Sequence, residues 1–100
     1  MITPLLPMAA LDEGDVVSVQ VANQPLLVCL VEGQYHVVSA VCSHAQQSLA
    51  GGRLRGFEIS CPLHGARFDI RTGACTRAPA VRPIQRFPVV LEAGKVCIDV

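Results

Sequence analysis

Residues 42–68 read CSHAQQSLAGGRLRGFEISCPLHGARF and contain two short motifs, C-x-H and C-x2-H, separated by sixteen residues. Each motif holds one cysteine and one histidine. Thiolate and neutral imidazole are the protein ligands that soft and borderline metals prefer. A spacer of this length can form a hairpin that brings the motifs together. The sequence therefore predicts a metal site formed by Cys42, His44, Cys61 and His64.

The mixed composition of each motif bears on the metal. Zinc sites usually keep two cysteines on one motif and two histidines on another. Here each motif offers one sulfur and one nitrogen, which suits a two-iron cluster in which each loop gives its sulfur to one iron and its nitrogen to the other. A zinc-stabilised interaction domain is the alternative, and it would be colourless where an iron–sulfur protein is red-brown.

The motif spacing resembles that of the Rieske [2Fe–2S] family, in which two histidines replace two cysteines on one iron. The resemblance to the Rieske ferredoxins of bacterial ring-hydroxylating oxygenases continues at residues 64–69 (HGARFD), 72–73 (TG), 78–80 (APA), Pro83 and 87–89 (FPV). It implies one [2Fe–2S] cluster per chain, held by the four motif residues. It also implies that the imidazole edges of His44 and His64 face solvent, where a partner docks, and that residues 78–80 cover one side of the cluster.

The charge of such a cluster suits a carrier of single electrons. Two ferric ions, two sulfides and two thiolates sum to zero, so one electron takes the cluster to minus one, an easier reduction than that of a four-thiolate cluster. High-potential Rieske proteins have an extra cysteine in each loop, and serine and tyrosine hydroxyls near the cluster. The corresponding positions here are Gln47, Leu63, Ala66 and Phe68. The missing donors predict a low potential, near the lower end of roughly −150 to +300 mV.

Length and composition limit the remaining possibilities. A chain of 100 residues is expected to form one domain, with the cluster-binding part at about residues 41–82. Cys29, Cys75 and Cys97 lie in or beside apolar runs and are predicted to be buried thiols, which favours a reducing compartment. Neither a signal peptide nor a membrane span is evident, so a cytoplasmic protein that does not contact a membrane is expected.

Charge is unevenly distributed in a chain whose net charge is zero. Residues 1–50 hold four acids and no lysine or arginine, whereas all seven arginines and Lys95 lie in residues 51–100. The arginines are either scattered over strand faces or form a basic rim near the cluster that steers a partner. Arg67 and Asp69 are predicted to form a weak surface ion pair. Nucleic acid binding is not expected, because the chain is not basic overall and has few aromatic residues.

Hydrophobic alternation and turn signals predict an all-β fold, a sandwich or barrel of short antiparallel strands with two cluster-binding loops. Strands are predicted at residues 15–21, 26–31, 35–41, 57–60, 66–70, 87–91 and 95–100, and around residue 54. Residues 77–83 are predicted to be irregular, and at most one short turn fits residues 45–49. Gly73 is expected to have a positive φ in its turn, and His36 is expected to be a surface or packed strand residue.

The resemblance implies a ferredoxin that carries electrons from a flavoprotein NAD(P)H-dependent ferredoxin reductase to a terminal oxygenase of the aromatic-ring-hydroxylating type. The sequence shows no catalytic group outside the four motif residues, so the protein is not expected to be an enzyme by itself, and a monomer is expected. The alternative is an accessory Rieske-like subunit, such as the small subunit of a nitrite reductase. The presence of all four ligands argues against that alternative.

Overall fold

The computed structural model describes residues 1–42, 48–62, 65–77 and 82–99. Within them the chain forms strands β1 to β11 and one 3-10 helix, Met8–Ala10, and no helix there is long and apolar enough to cross a membrane. The strands are β1 Ile2–Pro7, β2 Val16–Val21, β3 Gln24–Val31, β4 Gln34–Ser39, β5 Leu54–Arg55, β6 Glu58–Ser60, β7 Arg67–Asp69, β8 Cys75–Arg77, β9 Arg86–Phe87, β10 Val89–Glu92 and β11 Lys95–Asp99. The all-β prediction is confirmed.

The strands form three antiparallel sheets. The terminal sheet has the order β1-β11-β10, the central sheet β2-β3-β4-β9, and the loop sheet β5-β6-β7-β8. One cluster of buried residues joins the central sheet to the terminal sheet, and a second joins it to the loop sheet. The central sheet is therefore covered on both faces.

Residues 26–31 of strand β3 form a continuous apolar run. Leu27, Cys29 and Val31 belong to the cluster shared with the loop sheet, whereas Leu26 and Val28 belong to the cluster shared with the terminal sheet. Because side chains alternate across a strand, the part of β3 that is covered on both faces, residues 26–31, has no polar positions. Strand β4 pairs with β3 and ends at Ser39, shortly before Cys42.

The turn after β7 depends on Gly73, whose φ of 83° confirms the expected positive value. A Cβ at this position would overlap the carbonyl oxygen of Ile84. The Ile84 N–H donates to the Gly73 carbonyl oxygen at 2.9 Å, which ties the turn to the segment that precedes β9. The close approach of two backbones, together with the left-handed conformation, requires glycine here.

Three predictions of secondary structure were wrong. Residues 87–91 are not one strand, because Pro88 lacks an N–H and separates β9 in the central sheet from β10 in the terminal sheet. Strand β1 was missed because Pro4 and Pro7 look like strand breakers, yet prolines are tolerated on an edge strand with a bulge, as here. Strand β8 was also missed, and it includes Arg77, which had been predicted to be irregular. Residues 78–81, which include the proline-containing loop, and 45–47 lie outside the described residues.

Candidate metal centre

The two predicted sulfur ligands lie in two loops that the backbone closes. Cys42 follows β4, and its loop is closed by the antiparallel bridge between Val41 and Ser48. Cys61 follows β6, and its N–H donates to the Ala66 carbonyl oxygen at 2.7 Å. Each cysteine therefore sits at the base of a short loop. His44 and His64 fall outside the described residues, so their predicted role as ligands stays a prediction.

Both thiols are buried in the same part of the core. Cys42 is 0% exposed and Cys61 is 3% exposed, and both belong to the cluster that also contains Leu49, Ala66 and Phe68. A buried thiolate is costly unless a cation compensates its charge, and a metal ion is such a cation. Two buried sulfur donors on neighbouring loops fit a cluster whose sulfur ligands come from separate motifs.

Two glycines, Gly51 and Gly52, let the segment that follows the first loop pack closely against the second loop. The Gly52 N–H donates to the Leu49 carbonyl oxygen at 2.9 Å. A Cβ on Gly52 would overlap the carbonyl oxygen of Ser60, the residue before Cys61, and a Cβ on Gly51 would lie 4.0 Å from a side-chain carbon of Pro62. The approach of the two loops therefore depends on the absence of a side chain at Gly52.

Gly65 closes the second loop locally. Its φ is 73°, and its N–H donates to the Cys61 carbonyl oxygen at 3.1 Å. That amide closes the second loop, so it is already committed within the protein. The positive φ nevertheless lets the chain turn back towards Ala66, whose carbonyl oxygen holds the Cys61 amide.

The three remaining cysteines differ in burial. Cys29 is fully buried, and burial raises the pKa of its thiol to about 12, so the thiol stays neutral. Cys97 is buried in the terminal sheet, whereas Cys75 is only half-buried. The prediction of buried thiols is therefore confirmed for Cys29 and Cys97 but not for Cys75. In the described part of the chain, no group of three histidine, cysteine or acidic side chains could hold a metal ion.

His36 is a packed strand residue, as predicted. Its ring meets the ring of Phe57 edge-to-face at 5.9 Å, and its buried Nε2 atom finds no hydrogen-bond partner among the described residues. Burial, reinforced by the charges of Arg86 and Arg71 and opposed by Asp69, holds the pKa of His36 below its usual value. The imidazole is therefore neutral at pH 7 and joins the central sheet to the loop sheet by packing.

The predicted ion pair between Arg67 and Asp69 is not formed. Arg71, in the turn after β7, donates to both Asp69 carboxylate oxygens at 3.1 and 2.8 Å, and these hydrogen bonds hold the pKa of Asp69 below its usual value. Arg67 instead lies 3.8 Å from Glu58 on the neighbouring strand. The turn brings Arg71 close enough for a two-point contact, which takes Asp69 away from Arg67.

The covered β core and the two closed loops with buried cysteines fit a small metal-binding protein of the iron–sulfur or zinc type. Residues 2–88 match the Rieske [2Fe-2S] domain family, and the chain belongs to this family. It therefore carries a Rieske-type [2Fe–2S] cluster.

The relatives narrow the class further. The ferredoxin component of a naphthalene 1,2-dioxygenase system from Pseudomonas aeruginosa is 40% identical over 87 residues, which cover 87% of this chain and 84% of that protein. The structure of a Sphingomonas yanoikuyae B1 ferredoxin has a TM-score of 0.92 at 38% identity and covers 97% of this chain and 96% of that one. A complex of reduced oxygenase and oxidized ferredoxin in carbazole 1,9a-dioxygenase contains a chain with a TM-score of 0.90 at 30% identity. The match covers 97% of this chain and 91% of that one.

The relative from Pseudomonas aeruginosa is named a ferredoxin component, not a catalytic oxygenase. The prediction that the chain is an electron-transfer protein without catalysis of its own is confirmed. The comparisons favour the ferredoxin over the accessory subunit and over the zinc domain.

Proposed function

We propose that this chain accepts single electrons from a flavoprotein NAD(P)H-dependent reductase and passes them to a terminal ring-hydroxylating oxygenase. The observation that carries the proposal is the burial of Cys42 and Cys61 in one core cluster at the bases of two closed loops. The relatives named as ferredoxin components of naphthalene and biphenyl dioxygenase systems support the choice of partners.

The proposed cluster ligands are Cys42, His44, Cys61 and His64, which hold one [2Fe–2S] cluster per chain. When bound, the cluster supplies a site for one electron. The described residues bury the two sulfur ligands and keep water away from them, which favours a defined potential. We place the whole cluster-binding part at about residues 41–82 of a single domain, 1–100.

The remaining properties follow from the same assignment. The protein is proposed to be a cytoplasmic monomer of low potential that binds neither membranes nor nucleic acid. The absence of hydroxyl groups at Ala66 and Phe68, both fully buried beside Cys61, supports the low potential. Two buried thiols, Cys29 and Cys97, are compatible with a reducing compartment.

The test is reconstitution with a purified flavoprotein reductase, NADH and a purified terminal oxygenase. Product formation should require this protein, and each single-electron cycle should bleach and restore the visible spectrum. Cys61→Ser should remove the cluster and the activity, whereas the matched variant Cys97→Ser should keep both, because Cys97 lies in the terminal sheet. Circular dichroism checks that both variants fold. Activity without this protein, or a Cys61→Ser variant that retains its cluster, would contradict the proposal.

A further inference from the structure

Three arginines and one serine form a row across the loop sheet. Ser60 pairs with Arg67, and Arg67 pairs with Arg77, in the register of β6, β7 and β8. On the other side, the Ser60 N–H donates to the Arg53 carbonyl oxygen at 2.9 Å, which places Arg53 beside Ser60. Residues directly opposite each other in a sheet share a face. We call Arg53, Ser60, Arg67 and Arg77 the basic row.

The basic row lies at the end of the sheet that adjoins the predicted ligands. Ser60 immediately precedes Cys61, and Arg67 immediately follows Ala66, which closes the Cys61 loop. The opposite face of the same strands is formed by Ile59 and Phe68, which are fully buried in the core. The row is therefore on the outer face, with Arg53 and Arg77 exposed and Arg67 half-buried.

Positive charge exceeds negative charge on this face. Arg53, Arg55 and Arg67 line a cavity of about 150 Å³ together with Ser60 and a single acid, Glu58. Glu58 lies 3.8 Å from Arg67 and so opposes the charge of one arginine at most. The cavity has room for a carboxylate, which arginine binds with paired hydrogen bonds.

The row also places like charges side by side, and Glu58, which pairs with Arg67, offsets only part of this charge. The register pairs Arg67 with Arg77 on neighbouring strands, and it shifts between Arg67 and Phe68. Like charges in this position destabilise a sheet. The acid that would pair with Arg67 along its own strand, Asp69, is held by Arg71 instead. An anion supplied from outside the chain would relieve this repulsion.

Four of the eight acids of the chain, Asp12, Glu13, Asp15 and Glu32, lie near the other end of β4. Glu13 accepts hydrogen bonds from the Glu32 and Gly33 amides in the turn that precedes β4, and Asp12 and Asp15 flank Glu13 in sequence. Strand β4 then runs from that turn to the loop of the first cysteine. A chain of zero net charge thus has an acidic end away from the ligand loops and a basic row beside them. Such an asymmetry orients an approaching partner by its charge.

We propose that the basic row is the docking surface for an acidic patch on the terminal oxygenase, with a carboxylate of that patch seated between Arg53, Arg55 and Arg67. The inference rests on the proposed function, since it names the surface by which the electron is delivered. Charge complementarity selects an acidic protein surface, and the position of the row beside Cys61 selects a partner that must approach the cluster.

The test compares a triple variant, Arg53→Gln with Arg67→Gln and Arg77→Gln, with the control Lys95→Gln. Lys95 is an exposed cation on β11 of the terminal sheet. Stopped-flow spectroscopy measures the second-order rate at which each chemically reduced protein reduces the oxidised oxygenase, over a series of salt concentrations. At low salt the triple variant should be slower by about tenfold or more, and the rates should converge at high salt. Lys95→Gln should match the wild type.

Two further measurements keep the test decisive. Cluster spectrum and potential, recorded for every variant, should be unchanged, and Arg53→Glu alone provides a second variant at an exposed position. A triple variant with the wild-type rate and salt dependence would overturn the proposal, as would slowing confined to the reductase half-reaction. The wild type could instead form a salt-sensitive dimer that the triple variant loses while its electron transfer stays as fast. That result would assign the basic row to contact with a second copy of the chain and would also overturn the proposal. A wild type that fails to reduce the oxygenase would instead refute the proposed function.

Discussion

Gly51 and Gly52 are adjacent glycines whose surroundings differ, and they allow the packing of the two ligand loops to be tested by one methyl group. On Gly52 the added Cβ would overlap the Ser60 carbonyl oxygen and lie 3.1 Å from that of Leu49. On Gly51 it would meet only Pro62, at 4.0 Å. Gly52→Ala should therefore destabilise the protein, and Gly51→Ala is the matched control.

The magnitude follows from the hydrogen bonds that must yield. Moving β6 away from Gly52 strains the bonds from Gly52 to Leu49 and from Ser60 to Arg53, both 2.9 Å, and the bond from the Arg53 N–H to the Ser60 hydroxyl, 3.3 Å. At about 1 kcal/mol for each bond, the loss is about 3 kcal/mol. For a domain of this size, that lowers Tm by about 12–24 °C. Gly51→Ala should be neutral or stabilising by about 0.4–1 kcal/mol, because it restricts only the unfolded chain.

The assay is thermal unfolding of the cluster-loaded proteins, followed by far-ultraviolet circular dichroism and by the visible absorbance of the cluster at one scan rate. Gly52→Ala should lose both signals at a lower temperature than Gly51→Ala, with the visible signal lost no later than the secondary structure. If the two variants unfolded within about 4 °C of each other, equivalent to about 1 kcal/mol, the reasoning from the close approach of Gly52 and Ser60 would be refuted.

Three other predictions concern single groups. The pKa of His36 is lowered in the folded protein, so the unfolded state binds the proton first as the pH falls. The free energy of unfolding should therefore hold above pH 6.5 and fall as the pH drops through that value. In urea titrations, His36→Gln should lessen this pH dependence, and an unchanged dependence would contradict the prediction. Cys29 and Cys97 should resist alkylation in the folded protein and react only after unfolding, as read by mass spectrometry, whereas rapid labelling of Cys29 would contradict its raised pKa. The reduction potential of the cluster, measured by spectroelectrochemistry, should lie near −150 mV. Ala66→Ser or Phe68→Tyr should raise this potential by offering a hydroxyl donor. A wild-type potential well above zero would refute the prediction of a low-potential cluster.

Most of the strands could be predicted because their signals are local. The apolar run of β3 and the short turns at Glu32–Gly33 and Ala93–Gly94 mark hairpins that need no information from distant residues. Strand β1 could not be found in this way. It pairs with β11, almost the whole chain away, and only that partner makes a segment with Pro4 and Pro7 extended.

The two motifs predict the type of site and its ligand residues, but the sequence does not predict which side chains lie around them. The spacing of the two motifs predicts Cys42 and Cys61 as ligands, and the structure buries both thiols in one core cluster. The partners of the arginines were not predictable, because strand register decides which side chains lie opposite. The prediction for Arg67 and Asp69 therefore failed, and the alignment of Arg67 with Arg77 depends on a strand that the sequence did not reveal.

The most direct test of the account is a metal and sulfide analysis of the purified protein, combined with a titration by reductant. The account predicts two irons and two acid-labile sulfides per chain. It also predicts uptake of one electron, which bleaches the visible spectrum. Zinc in place of iron, or a colourless protein that takes up no electron, would contradict it.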